Sequence, residues 1–347
     1  MYMPVFAVES IACWRREAGF LASWRVVAYY AVLAMDGDEM GRWLRGENSP
    51  QVHQVLHPDL QQYFARLSDT AESLAARRPV GPALHAAISE ALTNFALHVV
   101  PRIVEKHWGT LIYSGGDDVL ALLPAGTALA CAHELRLAFC GHPQINGGAR
   151  SGYYRVDGRD LLMMGTKATA SAGLALVHYK EDLRSALSAA REAEKAAKTA
   201  ERDILQVRAC RRSGEHAAAL CPWDYVGEVQ GWVEAFSAGA TDRWAYHLRA
   251  ELPTLTALDY EAVLAEIRRQ LGRTEQATPY RLRPDDMAAA FDAYRRAMLA
   301  EHRRPRDPGF LRRYTTREEQ DRQLAATALE GFVTLCQTAS FLARGRE

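Results

Sequence analysis

The stretch that most constrains the fold of this chain runs from Leu111 to Leu123, where two apolar, strand-like runs flank Gly115-Gly116-Asp117-Asp118. This pattern predicts a β-hairpin with the glycines and aspartates at its tip. Glycine adopts positive φ and lets other groups approach, so Gly115 and Gly116 can form the turn and offer backbone N–H groups to a phosphate. The alternation of a straight strand breaks down at such a tip. We therefore expect the Asp117 and Asp118 carboxylates to converge around a hard cation.

A second acidic turn lies upstream of the hairpin. The continuous apolar run from Val26 to Met35 is typical of a strand covered on both faces, and it ends in Asp36-Gly37-Asp38. Asp36, Asp117 and Asp118 would supply oxygen ligands for two Mg²⁺ or Mn²⁺ ions, the minimal equipment for phosphoryl transfer. The alternative for each aspartate is that it only marks a tight turn. We expect Asp38 to cap the helix that begins at Glu39.

Three segments resemble a known family in residues, order and spacing: Ala34 to Leu44, Tyr113 to Pro124 and Ala170 to Lys180. They are similar to the second palm domain of the large subunit of type III-B CRISPR effector (Cmr) complexes, over residues 26–225. The predicted order β, α, α, β, β, α, β, α suits the ferredoxin-like palm of polymerases and nucleotide cyclases. The expected fold class is α+β, a palm followed by an all-α helical bundle.

The resemblance implies an activity and further site residues. The family converts ATP to cyclic oligoadenylate by two-metal nucleotidyl transfer when target RNA is captured. Lys198 resembles the lysine that diguanylate-cyclase-type palms place near phosphates on their last helix, with an exposed helix lysine as the alternative. Ser171 and Lys180 flank a strand whose small residues Ala172 and Gly173 can let a nucleotide base lie against the backbone. Plain core packing of that strand is the alternative.

The resemblance also implies partners: other CRISPR effector subunits, guide RNA and target RNA. A cyclase needs two ATP molecules facing each other, and the family supplies this with a pair of palms. We expect the family's nuclease domain and first palm to be missing from this chain. A second palm would then come from a partner, from a missing segment or from a homodimer.

Composition limits the remaining classes. The chain has 42 basic and 42 acidic residues, so any RNA contact must come from local patches. Its six cysteines form no Cys-x-x-Cys pair, which argues against the zinc site common in the family and favours a reduced, cytoplasmic environment. No stretch is apolar enough to predict a membrane span.

Three parts of the chain are expected. Residues 1–25 are interpreted as an N-terminal tether, residues 26–225 as the palm and residues 226–347 as a helical domain with a docking role. The helical domain is predicted to contain helices at 226–238, 241–250, 256–271, 284–301 and 316–343.

Two other functions stay open. A catalytically silent scaffold would only hold neighbouring subunits, guide RNA and target RNA, although a scaffold has no need of clustered anions. A stand-alone diguanylate-type cyclase ranks last, because Asp118-Val119 stands where such enzymes carry Glu-Phe.

Overall fold

The computed structural model of this protein describes residues 28–67, 70–145, 147–214, 216–273, 282–303, 305 and 308–344. The predicted tether at residues 1–25 lies outside these ranges. The described strands are β1 (Tyr29–Gly37), β2 (Thr110–Gly115), β3 (Asp118–Pro124), β4 (Tyr153–Val156), β5 (Arg159–Leu162), β6 (Ala170–His178), β7 (Ile204–Cys210) and β8 (His216–Pro222).

Most strands join one 6-stranded sheet in the order β2-β3-β1-β6-β7-β8. Only the β6–β7 pair within this sheet is parallel, and β4 and β5 form a separate hairpin. The apolar run that predicted β1 is central, between β3 and β6, which explains why it needs no polar alternation. The predicted α+β fold with a palm-type sheet and a helical region is confirmed.

The helices of this part of the chain lie between β1 and β7. They are α1 (Met40–Leu44), α2 (Val52–Val55), α3 (Pro58–Ala65), α4 (Ala71–Ala75), α5 (Pro82–Asn94), a π-helical turn (Phe95–Val99), α6 (Val100–Lys106), α7 (Ala125–Cys140) and α8 (Leu183–Thr199). Apolar residues at helical spacing predict a long amphipathic helix from Pro82 to about His107, with Pro101 expected to kink it or to end its first part. The structure interrupts this helix with the π turn just ahead of Pro101, whose ring cannot continue the hydrogen-bond ladder.

The two faces of the sheet are covered differently. On the first, here called the core face, Met35, Val119 and Leu174 pack against α6 and α7 in the main hydrophobic cluster. On the second, the α8 face, alanines of α8 lie directly on β1 and β6. A Cβ added at Gly173 would lie 2.2 Å from the Ala190 carbonyl oxygen of α8. The idea that a nucleotide base lies against Gly173 is therefore wrong, because helix backbone fills that space.

Helices follow the last strand, as predicted. They are α9 (Val226–Ser237), α10 (Arg243–Leu255), α11 (Tyr260–Arg273), α12 (Pro284–Met298), α13 (Pro308–Arg313) and α14 (Arg317–Arg344), with a short 3₁₀ turn at Glu301–Arg303. The main hydrophobic cluster runs without a break from the core face into this helical region. The Trp223 indole donates to the Ala170 carbonyl at 3.0 Å, and the Tyr294 hydroxyl donates to Leu220 at 2.6 Å. The domain division at residue 225 stays a prediction.

Candidate active site

The C-terminal end of β1 brings Asp36 between two other strands. Asp36 lies opposite Ser171 of β6 and follows Met35, which pairs with Val119 of β3. Side chains alternate along a strand, and Val32 and Ala34 belong to the α8 face. The same alternation places Asp118 there, because its neighbour Val119 packs on the core face. Asp36 and Asp118 therefore share the α8 face.

Helix α8 completes this side of the site with two charged residues. The Lys198 ammonium forms an ion pair with the Asp36 carboxylate and lies 3.2 Å from Glu194 Oε1. Burial lowers the pKa of Lys198 even though it pairs with Asp36. Burial also raises the pKa of Glu194, and the negative charge of Asp118 raises it further. Glu194 was not predicted from sequence; its spacing of four residues from Lys198 was the available signal.

The hairpin tip is a two-residue turn. Gly115 pairs with Asp118, and Gly116 has φ +68° while Asp117 keeps a negative φ, which is the combination typical of a type II′ turn. The hairpin predicted from the Gly-Gly-Asp-Asp sequence is therefore present, with Gly116 as the residue that needs the left-handed conformation.

Asp117 lies on the other side of the sheet from Asp118. A Cβ added at Gly37 would lie 2.8 Å from Asp117 Cβ, and Gly37 pairs with Ala170, whose side chain packs on the core face. The expected convergence of Asp117 and Asp118 is thus not seen. Burial raises the pKa of Asp117, and the charge of Asp118 adds to this.

Asp38 is a buried residue that links β6 to the segment at Asp203 through hydrogen bonds. It is 3% exposed and accepts hydrogen bonds from the Ser171 hydroxyl at 2.7 Å and the Asp203 backbone N–H at 3.0 Å. Burial raises its pKa despite these hydrogen bonds. The prediction that Asp38 caps a helix is wrong, since Glu39 occupies the N-cap position of α1. Ser171 is fully buried, and its predicted contact with a nucleotide stays a prediction.

An open cavity of about 330 Å³ lies beside the hairpin tip. Its walls come from α5, the π turn, β2 and the hairpin tip: Ser89, Leu92, Thr93, Ala96, Leu97, Ser114, Gly115 and Gly116. This volume lies at the lower end of the range for small-molecule sites, and π turns are frequent at functional sites. The predicted phosphate-binding glycines therefore border a space that can accept a ligand.

Lys180 is not brought to this site. It follows the end of β6 opposite to the end that carries Ser171. At about 3.3 Å per residue, nine residues separate these positions by roughly 30 Å. Lys180 instead places its Nζ 5.6 Å from the centre of the Tyr179 ring.

The fit to a divalent metal ion rests on two carboxylates. Within the described ranges no group of three or more His, Cys, Asp or Glu side chains is arranged to hold a metal ion. Mg²⁺ is commonly bound by only one or two carboxylates, with waters and substrate phosphates as the other ligands. Asp36 and Asp118 meet that smaller requirement. The ligand role of Asp117 stays a prediction.

Comparisons with known proteins identify the family of this chain. A family model described as Cas10/Cmr2, second palm domain, matches residues 29–206. The CRISPR system Cmr subunit Cmr2 of Pyrococcus furiosus is 34% identical over 259 residues, which are 72% of this chain and 27% of that protein.

Two solved structures of type III-B Cmr-beta complexes contain a similar fold. A chain of the apo complex matches with a TM-score of 0.50 and 14% identity, over 80% of this chain and 37% of its own length. A chain of the complex bound to cognate target RNA matches with a TM-score of 0.51 and 16% identity, over 74% and 36%. The sequence thus spans less than half the length of these relatives. None of the helices in the described residues is long and apolar enough to cross a membrane.

Proposed function

This chain belongs to the Cas10/Cmr2 family through its second palm domain, and on that premise we propose that it is the cyclase part of a type III CRISPR effector complex. It converts ATP to cyclic oligoadenylate when the complex binds target RNA. The observation that carries the proposal is the placement of Asp36 and Asp118 on one face of the sheet, beside Lys198.

Each group has a defined task in this proposal. Asp36 and Asp118 would hold divalent metal ions, Mg²⁺ or Mn²⁺, whereas Asp117, the third predicted ligand, lies on the other side of the sheet. Such ions lower the pKa of a ribose 3′-hydroxyl and neutralise the leaving pyrophosphate. Gly115 and Gly116 contact the triphosphate through backbone N–H groups. Lys198 exchanges its contact with Asp36 for one with a phosphate oxygen.

The other half of the reaction comes from outside this palm. Two ATP molecules must face each other for 3′-to-5′ transfer, so a second palm from a partner, a missing segment or another copy completes the site. Guide RNA, target RNA and neighbouring subunits are the other proposed partners, in the cytoplasm.

The second candidate is a silent scaffold that only holds neighbouring subunits and RNA. The continuous core between palm and helical region supports it, because that rigidity suits a docking platform. The paired burial of Asp36 and Lys198 speaks against it, since a scaffold does not need a charged pair that is only 21% and 29% exposed.

The deciding experiment is product analysis of the assembled complex. The complex is incubated with ATP and Mg²⁺, with and without complementary target RNA, and small products are identified by mass spectrometry. Target-dependent cyclic adenylates support the cyclase, and an Asp118→Asn complex should make none. A wild-type complex that binds target RNA but makes no product would favour the scaffold. A parallel incubation with GTP tests the third alternative, because cyclic guanylates would favour a stand-alone diguanylate-type cyclase.

A further inference from the structure

The turn between α8 and β7 has an unusual backbone. Glu201, Arg202 and Asp203 have φ of 66°, 68° and 47°, so three consecutive non-glycine residues are left-handed. Side chains with a Cβ adopt this conformation only at a cost in free energy, and the surrounding structure must hold them there. This segment is called the α8–β7 turn below.

Two arginines from other parts of the fold hold the α8–β7 turn. Arg303, in the 3₁₀ turn of the helical region, donates from Nη1 to the Arg202 carbonyl and from Nη2 to the Asp203 carbonyl, both at 2.9 Å. Arg136 of α7, which is 9% exposed, donates from Nε to the Asp203 carboxylate at 2.7 Å. Its planar guanidinium lets Arg303 bind both carbonyls at once.

The α8–β7 turn is connected to the candidate site by hydrogen bonds. The Asp203 N–H binds the Asp38 carboxylate at 3.0 Å, and Asp38 accepts the Ser171 hydroxyl at 2.7 Å. Ser171 lies opposite Asp36 in the β1–β6 ladder. Lys198, the partner of Asp36, lies in the last turn of α8, three residues before Glu201. The α8–β7 turn therefore positions both members of the Asp36–Lys198 pair: Lys198 through the end of α8, and Asp36 through the hydrogen bonds of Asp38 and Ser171.

We propose that Arg303 is a positioning residue of the candidate site, which acts through the α8–β7 turn to hold Asp38, Asp36 and Lys198 in place. Arg303 touches none of the proposed substrates or ions. It links the helical region to the site, so a shift of that region that withdraws the guanidinium loosens the site without direct contact. Its effect on turnover rests on the proposed cyclase function; its effect on the turn does not.

The first test needs no catalysis. Hydrogen–deuterium exchange of the full chain is compared between wild type and Arg303→Ala, on peptides that contain the Asp203 amide. Loss of two hydrogen bonds to a charged donor should speed exchange there by about tenfold. The matched control is Arg296→Ala, which removes an exposed arginine of α12 that pairs with Asp292. It should leave these peptides unchanged.

A second readout reports on the site itself. Mn²⁺ alone is titrated and followed by electron paramagnetic resonance, and Arg303→Ala should bind it about threefold or more weakly than wild type, because misplaced carboxylates bind less well. In the exchange experiment, guanidinium ion added to Arg303→Ala should restore part of the protection that the Asp203 amide loses in this variant. Should Arg303→Ala fail to fold, Arg303→Lys replaces it, since one ammonium cannot span both carbonyls and should give a smaller change in the same direction.

The outcomes separate the two proposals. In the assembled complex, Arg303→Ala should lower kcat about tenfold or more with KM for ATP within about twofold, as expected for misplaced groups. If wild type makes no product, the cyclase proposal fails, while exchange and Mn²⁺ binding still decide the role of Arg303. Unchanged exchange at Asp203 and unchanged Mn²⁺ affinity in a folded Arg303 variant would overturn the inference.

Discussion

The Lys198 ammonium pairs with the Asp36 carboxylate across the gap between α8 and the end of β1. The ammonium compensates the charge of the carboxylate, because an isolated charge at a partly buried position is costly. A divalent ion at Asp36 must therefore displace the lysine, which becomes free to meet a phosphate.

Lys198→Ala tests this exchange. We expect tighter Mn²⁺ binding, by about threefold to tenfold, because the competing ammonium is gone, together with weaker ATP binding. Mn²⁺ titration and ATP titration measure the two effects separately. Lys195→Ala, an exposed lysine on the same helix, is the control and should change neither. Weaker Mn²⁺ binding in Lys198→Ala would contradict the exchange.

Asp117→Ala combined with Asp118→Ala should abolish product formation while the complex still assembles. The reason is that neither side chain supports the hydrophobic core. Product analysis together with size-exclusion chromatography of the complex checks both points. Loss of folding in this variant would count against the placement of the two residues at a functional site.

Asp117→Asn should be at least as stable as wild type at neutral pH. Burial raises the pKa of Asp117, so the folded state binds this proton more tightly than the unfolded state does. Ionisation of Asp117 therefore lowers the free energy of unfolding as the pH rises above the ordinary aspartate pKa. The gain should be present at pH 7 and should shrink toward pH 4. Urea unfolding at the two pH values measures it. A clear loss of stability at pH 7 would contradict the raised pKa of Asp117.

Gly37→Ala should reduce turnover strongly by pushing Asp117 away. The added Cβ would lie 2.8 Å from Asp117 Cβ and 3.0 Å from Phe139 Cζ. We expect a stability cost of about 1–3 kcal/mol from overpacking. Gly227→Ala is the control, because a Cβ there meets open space among the described residues. Full activity of Gly37→Ala would show that the position of Asp117 does not matter.

The cluster of Lys106, His107 and Glu134 predicts a pH-dependent contribution to stability. Burial alone would raise the pKa of Glu134, but hydrogen bonds from His107 at 2.7 Å and Lys106 at 2.8 Å outweigh it and hold the pKa below its usual value. The contribution is therefore present above the ordinary glutamate pKa and is lost as pH falls through the lower folded value.

Glu134→Gln should cost about 1–3 kcal/mol at pH 7, and the difference from wild type should vanish on acidification. Denaturant unfolding between pH 7 and pH 3 follows it. Glu192→Gln, which removes an exposed partner of Arg208, should change stability little at any pH. A constant difference for Glu134→Gln across this range would rule out the ion-paired carboxylate.

Much of the secondary structure follows from local patterns. The hairpin at Gly115 to Asp118, the buried strand before Asp36 and the break near Pro101 were predicted because turn chemistry and side-chain periodicity act over a few residues. The β4 strand and helix α13 were missed, since both are short and lack a strong period.

What the sequence by itself determined is the set of strands and turns that carry Asp36, Asp117 and Asp118, because glycine, proline and apolar periodicity constrain the backbone locally. Only the tertiary structure decided on which face each carboxylate lies, that Glu194 joins the site, that Lys180 is far from it and that Arg303 reaches the α8–β7 turn. These depend on strand register and on contacts between residues up to 165 positions apart, such as Asp38 and Asp203, which no local pattern encodes.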